Sequence, residues 1–89
     1  MTFKVLLHPN AAKELQNTEK NFRTRILETA KQLSENPARI GKLLKQSDFW
    51  GLRVGDYRVI YQIDQNKNQV IILFVGHRSK VYDDFSKML

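Results

Sequence analysis

Apolar positions follow a helical period in the first third of the chain and a strand period in the second half. Phe3 to Leu7 reads as a first strand, and Pro9 breaks it. Asn10 can cap a short helix, with Ala11 and Ala12 in its first turn and Leu15 further on. A second helix starts near Thr18 or Asn21. Its apolar residues Phe22, Ile26, Leu27, Ala30 and Leu33 form one stripe, while Lys20, Arg23, Arg25, Glu28, Lys31, Gln32 and Glu35 fill the polar side. Asn36-Pro37 ends this helix, because the residue before a proline avoids the α region.

Residues 37–49 have no clean period, and Gly41, Ser47 and Asp48 suggest a loop with one helical turn around Lys42 to Leu44. Three strands follow, at Trp50 to Val54, Tyr57 to Ile63 and Gln69 to His77. Gly55-Asp56 is a two-residue hairpin turn, and Asp64 to Asn68 a polar five-residue loop. The last strand is apolar at nearly every position from Val70 to Val75, the pattern of a central strand buried on both faces. Residues 81–89 close the chain as a short helix or an ordered tail. The expected architecture is a single α+β domain spanning residues 1–89, in the order β-α-α-β-β-β-(α). Two N-terminal helices pack on one face of a mostly antiparallel four-stranded sheet.

Alternation sorts the hairpin into two faces. Trp50, Leu52, Val54, Tyr57, Val59, Tyr61 and Ile63 form an apolar set that should bury against the helical stripe. Gly51, Arg53, Arg58, Ile60 and Gln62 lie on the opposite, helix-free face. A two-residue turn puts Arg53 directly opposite Arg58, and like charges so placed repel. On a wet, open face that cost is screened to about 1 kcal/mol or less. An anion between the two guanidiniums would turn it into attraction, since their planar forks suit phosphate oxygens.

The charge balance strengthens this reading. Fifteen Lys and Arg against nine Asp and Glu give a net charge of +6 and a pI near 9.8. Such an excess suits an anionic partner: nucleic acid, an acidic protein or an anionic membrane. The distribution is uneven. Arg39, Lys42, Lys45, Arg53 and Arg58 accompany only Asp48 and Asp56, whereas Glu14, Glu19, Glu28 and Glu35 fall on the expected helices. The absence of cysteine excludes disulfides and thiolate zinc sites. No apolar run approaches the roughly 20 residues of a membrane span, and the N-terminus lacks a signal-length apolar core. A cytoplasmic protein without a membrane partner is expected. A second cluster stands where the last strand leaves the core: His77, Arg78, Lys80 and Tyr82 bring an imidazole, two cations and a phenol together.

These residues also carry a family resemblance. "LRVGDYRVIYQI" (Leu52 to Ile63), "ILFVGHRSKVYDDF" (Ile72 to Phe85) and "ENPARIGKLLK" (Glu35 to Lys45) resemble RelE-type toxins of the RelE/ParE toxin–antitoxin superfamily, over nearly the full length. The resemblance implies an mRNA interferase, an endoribonuclease that cuts the message in the ribosomal A site and is neutralised by a wrapping antitoxin. It implies catalytic roles for Arg58, Arg78 and Tyr82. Arg53, Lys42, Lys45 and Lys80 would contact RNA or its phosphates, and His77 is a further candidate. No metal or other cofactor is implied. The family pattern has two lysines two residues apart on the strand before the turn, where this chain offers Arg53 alone. Two rival readings are a ParE-like gyrase poison without nuclease activity and a non-catalytic basic binding module.

Overall fold

The computed structural model describes residues 2–44 and 47–77. Strand β1 (Lys4–Leu7) leads into helices α1 (Pro9–Gln16), α2 (Lys20–Glu35) and the single turn α3 (Pro37–Ile40). Then come the two-residue strand β2 (Lys42–Leu43) and the meander β3 (Phe49–Val54), β4 (Tyr57–Asp64) and β5 (Gln69–His77). The sheet has five strands in the order β1-β5-β4-β3-β2. Only β1 and β5 run parallel, consistent with a helical crossover between β1 and the meander.

Helix α1 begins one residue before the expected cap. His8 is its N-cap: the Nδ1 accepts from the Asn10 backbone N–H at 3.2 Å, and Pro9 takes the first turn, where a missing N–H costs nothing. In α2, Phe22, Ile26 and Leu33 are buried, as the stripe requires. Leu27 departs from it. It is 61% exposed, because one residue beyond Ile26 turns its side chain about 100° round the helix, away from the sheet.

Two further expectations are corrected between residues 37 and 49. The helical turn lies at Pro37–Ile40 rather than at Lys42 to Leu44, since proline favours a first helical turn. Lys42 and Leu43 instead pair with Gly51 and Trp50, making the sheet five-stranded rather than four-stranded. A two-residue strand is too short for any period to announce.

The hairpin has the expected register. Val54 pairs with Tyr57, Arg53 with Arg58 and Leu52 with Val59. Gly55 has φ +60°, the positive value a II′ turn needs at its first central position. Its apolar face joins the core. Val54, Val59 and Tyr61 are buried with the α1 and α2 residues, and Trp50, Leu52, Tyr57 and Ile63 pack around them. Each fully buried apolar side chain contributes about 1.5–3 kcal/mol. Strand β5 is central, between β1 and β4, and its neighbours Phe74 and Val75 are buried on opposite faces.

The helix-free face is less open than alternation alone suggests. Ile60 and Phe74 are buried there beneath Leu44, Phe49 and Leu73. The return from β2 to β3 makes this cover. Leu44 N–H donates to the Phe49 carbonyl at 2.8 Å, and the Ser47 hydroxyl donates to the Leu44 carbonyl at 2.9 Å. A register irregularity between Ile60 and Tyr61 lets Leu73 reach this side as well.

A buried polar contact ties α3 to the sheet. The Tyr61 hydroxyl donates to the Pro37 carbonyl at 2.6 Å. Burial pushes the phenol up to about 12. The sign follows from proton binding. Between pH 10 and 12 the unfolded chain has lost this proton while the folded chain keeps it, so stability falls as pH rises, by at most about 1.4 kcal/mol per pH unit. Urea titrations across this window should show a shallower decline in Tyr61→Phe than in the unsubstituted chain. Equal slopes would mean that the phenol is not shielded.

Candidate functional site

A hollow of about 620 Å³ opens on the sheet face opposite α1 and α2, between β2 and the β3–β4 hairpin. Lys42, Arg53 and Arg58 supply its cations, Ile40 and Leu44 part of its apolar wall, and Gly51 a stretch without a side chain. Among the described residues its lining contains no acidic side chain. The volume lies within the range of small-ligand sites, about 300–1,000 Å³.

The sheet dictates this arrangement. Lys42 pairs with Gly51, Gly51 with Ile60 and Ile60 with Phe74, so one row crosses four strands on a single face. Arg53 and Arg58 form the next pair towards the turn. A pair one step from a two-residue turn is non-hydrogen-bonded, with Cα atoms about 4.5 Å apart, so the side chains start close together. Their environments differ. Arg53 is exposed, and its Nε donates to the Gly55 carbonyl at 3.2 Å. Arg58 is half-buried, and its Nε is buried outright. One guanidinium is thus set into the floor and the other stands at the rim. Together with Lys42 they make a concave, water-accessible patch of positive potential, the arrangement that draws in and orients an anion.

Of the remaining sequence candidates, His77 lies apart from this hollow. It ends β5 paired with Tyr57, and its ring meets the Tyr57 ring edge-on with centroids 5.7 Å apart. Tyr57 in turn packs on Phe22 of α2, at 3.9 Å. His77 therefore sits at the sheet end on the helix side, as strand alternation dictates once β5 runs to its last residue. Lys45, Arg78, Lys80 and Tyr82 lie outside the described residues.

Two contributors escaped the sequence reading. Ile40 and Leu44 line the hollow only because α3 and β2 form where a loop was expected. Gly41, which joins them, carries a signal legible only in three dimensions. A Cβ there would overlap the Tyr61 hydroxyl and stand 3.1 Å from the Gly51 carbonyl oxygen. The close approach of α3 to the sheet depends on that missing methyl group.

Comparisons with known proteins give the family and the fold. Residues 5–82 match the family described as ParE toxin of type II toxin–antitoxin system, parDE. Two curated relatives come from Mycobacterium tuberculosis. Toxin RelE is 36% identical over 84 residues, covering 90% of this chain and 86% of its own length. Toxin RelG is 32% identical over 85 residues, covering 92% and 98%. Among solved structures, the RelBE2 toxin–antitoxin complex from M. tuberculosis contains a chain that superposes with a TM-score of 0.82 at 31% identity, covering 88% of this chain and all of that one. Sequence and fold agree over almost the whole length, and the chain belongs to the RelE/ParE superfamily of type II toxin–antitoxin toxins.

Proposed function

We propose that this toxin is a ribosome-dependent endoribonuclease that cleaves mRNA in the A site and so blocks translation. The observation that carries the reading is the convergence of Arg53, Arg58 and Lys42 on one hollow. Toxin RelE and Toxin RelG, the relatives named above, favour the same class over others on this scaffold.

The chemistry is an intramolecular transesterification. The ribose 2′-oxygen forms a bond to the adjacent phosphorus as the P–O5′ bond breaks, giving a 2′,3′-cyclic phosphate and a 5′-hydroxyl. The 2′-hydroxyl loses a proton and the departing oxygen gains one. Negative charge builds on the non-bridging oxygens, and this is where two guanidiniums contribute most. Donors fixed before the reaction stabilise the transition state without reorganising. The half-buried Arg58 is the better fixed and takes the scissile phosphate. Arg53 at the rim and Lys42 opposite Gly51 hold the flanking backbone and align the 2′-oxygen for in-line attack. Arg78 and Tyr82 complete the site in this reading, with Tyr82 handling a proton and Lys45 and Lys80 adding charge to the RNA path. Arginine stays protonated at neutral pH and is a poor base. A site rich in cations and poor in bases depends on the ribosome to order its substrate. The work is done in the cytoplasm, where translation takes place.

A cognate antitoxin is the second partner. The RelBE2 chain was solved in a toxin–antitoxin complex, and a basic hollow is a surface that an acidic or amphipathic antitoxin segment can cover.

Replacing the 2′-hydroxyl with hydrogen at the cleaved nucleotide should abolish cutting on programmed ribosomes, with no change in toxin binding. Undiminished cutting of that message would overturn the mechanism. The matched family description favours one alternative, a ParE-like gyrase poison. That alternative predicts intact messages and toxin-dependent double-strand breaks in DNA.

A further inference from the structure

A second, smaller hollow of about 210 Å³ lies between α2 and the hairpin, and Leu52 and Arg53 line both hollows. Strand β2 pairs with β3 at Trp50 and Gly51, and among the described residues no strand lies beside the β3 edge from Leu52 to Val54. The two hollows therefore meet across an open sheet edge. On the far side stands Arg25 of α2. Its Nη1 would lie 2.9 Å from a Cβ at Gly55, and the Gly55 carbonyl is where Arg53 Nε donates at 3.2 Å. Two guanidiniums thus converge on one turn residue, one from each side of the edge. The absence of a side chain at Gly55 leaves room for the Arg25 guanidinium.

Resting on the nuclease reading, we infer that Arg25 binds the backbone phosphate next in line beyond Arg53, so that bound RNA runs out of the large hollow, over the β3 edge and into the small one. The small hollow has room for a phosphate group, and Arg53 is the shared post between the two segments of the path. Glu28, three residues beyond Arg25 on the same helix, also lines the small hollow and opposes an anion there. This places the path at its outer side, against Arg25 and the turn, and makes Glu28 a built-in control of opposite sign.

The test measures binding of oligoribonucleotides, 2′-deoxy at the reacting ribose, by fluorescence anisotropy across a salt series. A trinucleotide fills the large hollow alone; hexanucleotides extended at the 5′ or the 3′ end reach past Arg53. Arg25→Gln should weaken one of the two hexanucleotides by about 3- to 10-fold and reduce the magnitude of its log–log salt slope by about 0.7, the value of one single-strand phosphate contact. The trinucleotide should be unaffected. Arg25→Lys should restore most of the slope, and Glu28→Gln should tighten the same hexanucleotide. Equal losses on all three RNAs, or unchanged slopes, would overturn the role of Arg25 and leave the nuclease reading standing. Failure of the unsubstituted toxin to bind any of the RNAs would likewise overturn the Arg25 path, whereas the nuclease reading is decided on programmed ribosomes.

Discussion

Arg58→Ala should lower cleavage of message on programmed ribosomes by about 10²–10³-fold, the usual cost of removing one preorganised donor from a charge-developing transition state. Arg58→Lys should recover only part of the rate. It restores the charge, but a single ammonium cannot present two parallel N–H groups to two phosphate oxygens. Arg53→Ala should cost less, since that side chain is exposed and leans on the Gly55 carbonyl. The double substitution should cost less than the product of the two single effects, because the two residues are directly paired and hold neighbouring parts of one RNA strand. Primer extension on stalled ribosomes reads all four variants. Wild-type rates in Arg58→Ala would remove the phosphate role from the hollow. Growth arrest that persists in that variant would point to a target other than mRNA.

Gly41→Ala should destabilise the fold more than any surface substitution, by about 2–4 kcal/mol. The backbone is not the obstacle, since Gly41 has φ −108°, which any residue adopts. Space is the obstacle, because the new methyl group would occupy the position of the Tyr61 hydroxyl. Either Tyr61 moves and breaks its 2.6 Å hydrogen bond to the Pro37 carbonyl, or α3 lifts from the sheet. A chain of this size loses about 4–8 °C of melting temperature per kcal/mol, so a fall of roughly 10 °C or more is expected. Combining it with Tyr61→Phe should cost less than the two single losses together, because the hydroxyl that makes the worst overlap is gone and only the ring carbon at 2.8 Å must shift. Calorimetry on the four proteins of this cycle decides the matter, and simple additivity would show that the two residues do not compete for the same space. Cleavage should fall along with stability in Gly41→Ala. The lifted segment carries Lys42, and Ile40 and Leu44 flank it in the wall of the hollow.

The parts of this molecule that could be read from its sequence are those in which a period persists. The stripe Phe22, Ile26, Leu33 and the alternation from Trp50 to Ile63 each extend over several repeats, and their apolar faces came out in the core, whereas Ile60 on the opposite face of the hairpin is covered where an open face was expected. Gly55-Asp56 defined the register because few residues fit a two-residue turn, and that register alone put Arg53 beside Arg58. The segment from Pro37 to Phe49 was opaque for the opposite reason. One helical turn and two strand residues are shorter than any period, and their placement rests on a phenol 24 residues away that bonds to the Pro37 carbonyl. Leu27 misled because hydrophobicity at a helix position does not say which way the position faces. In the site, the arginine pair could be read from the turn, whereas the wall of Ile40 and Leu44 could not. His77 was drawn in by proximity in sequence to Arg78, and strand pairing set it against Tyr57 instead.

The central claim is that one basic hollow on the helix-free face binds a single mRNA phosphodiester and promotes attack by its own 2′-oxygen. The most direct test maps RNA ends after a brief pulse of toxin expression, comparing the unsubstituted chain with Arg58→Ala. The account predicts new ends within codons of translated messages, bearing 2′,3′-cyclic phosphates and matched by 5′-hydroxyls downstream, all absent in the variant. Growth arrest with intact messages, or the same cleavage pattern with and without the Arg58 guanidinium, would contradict it.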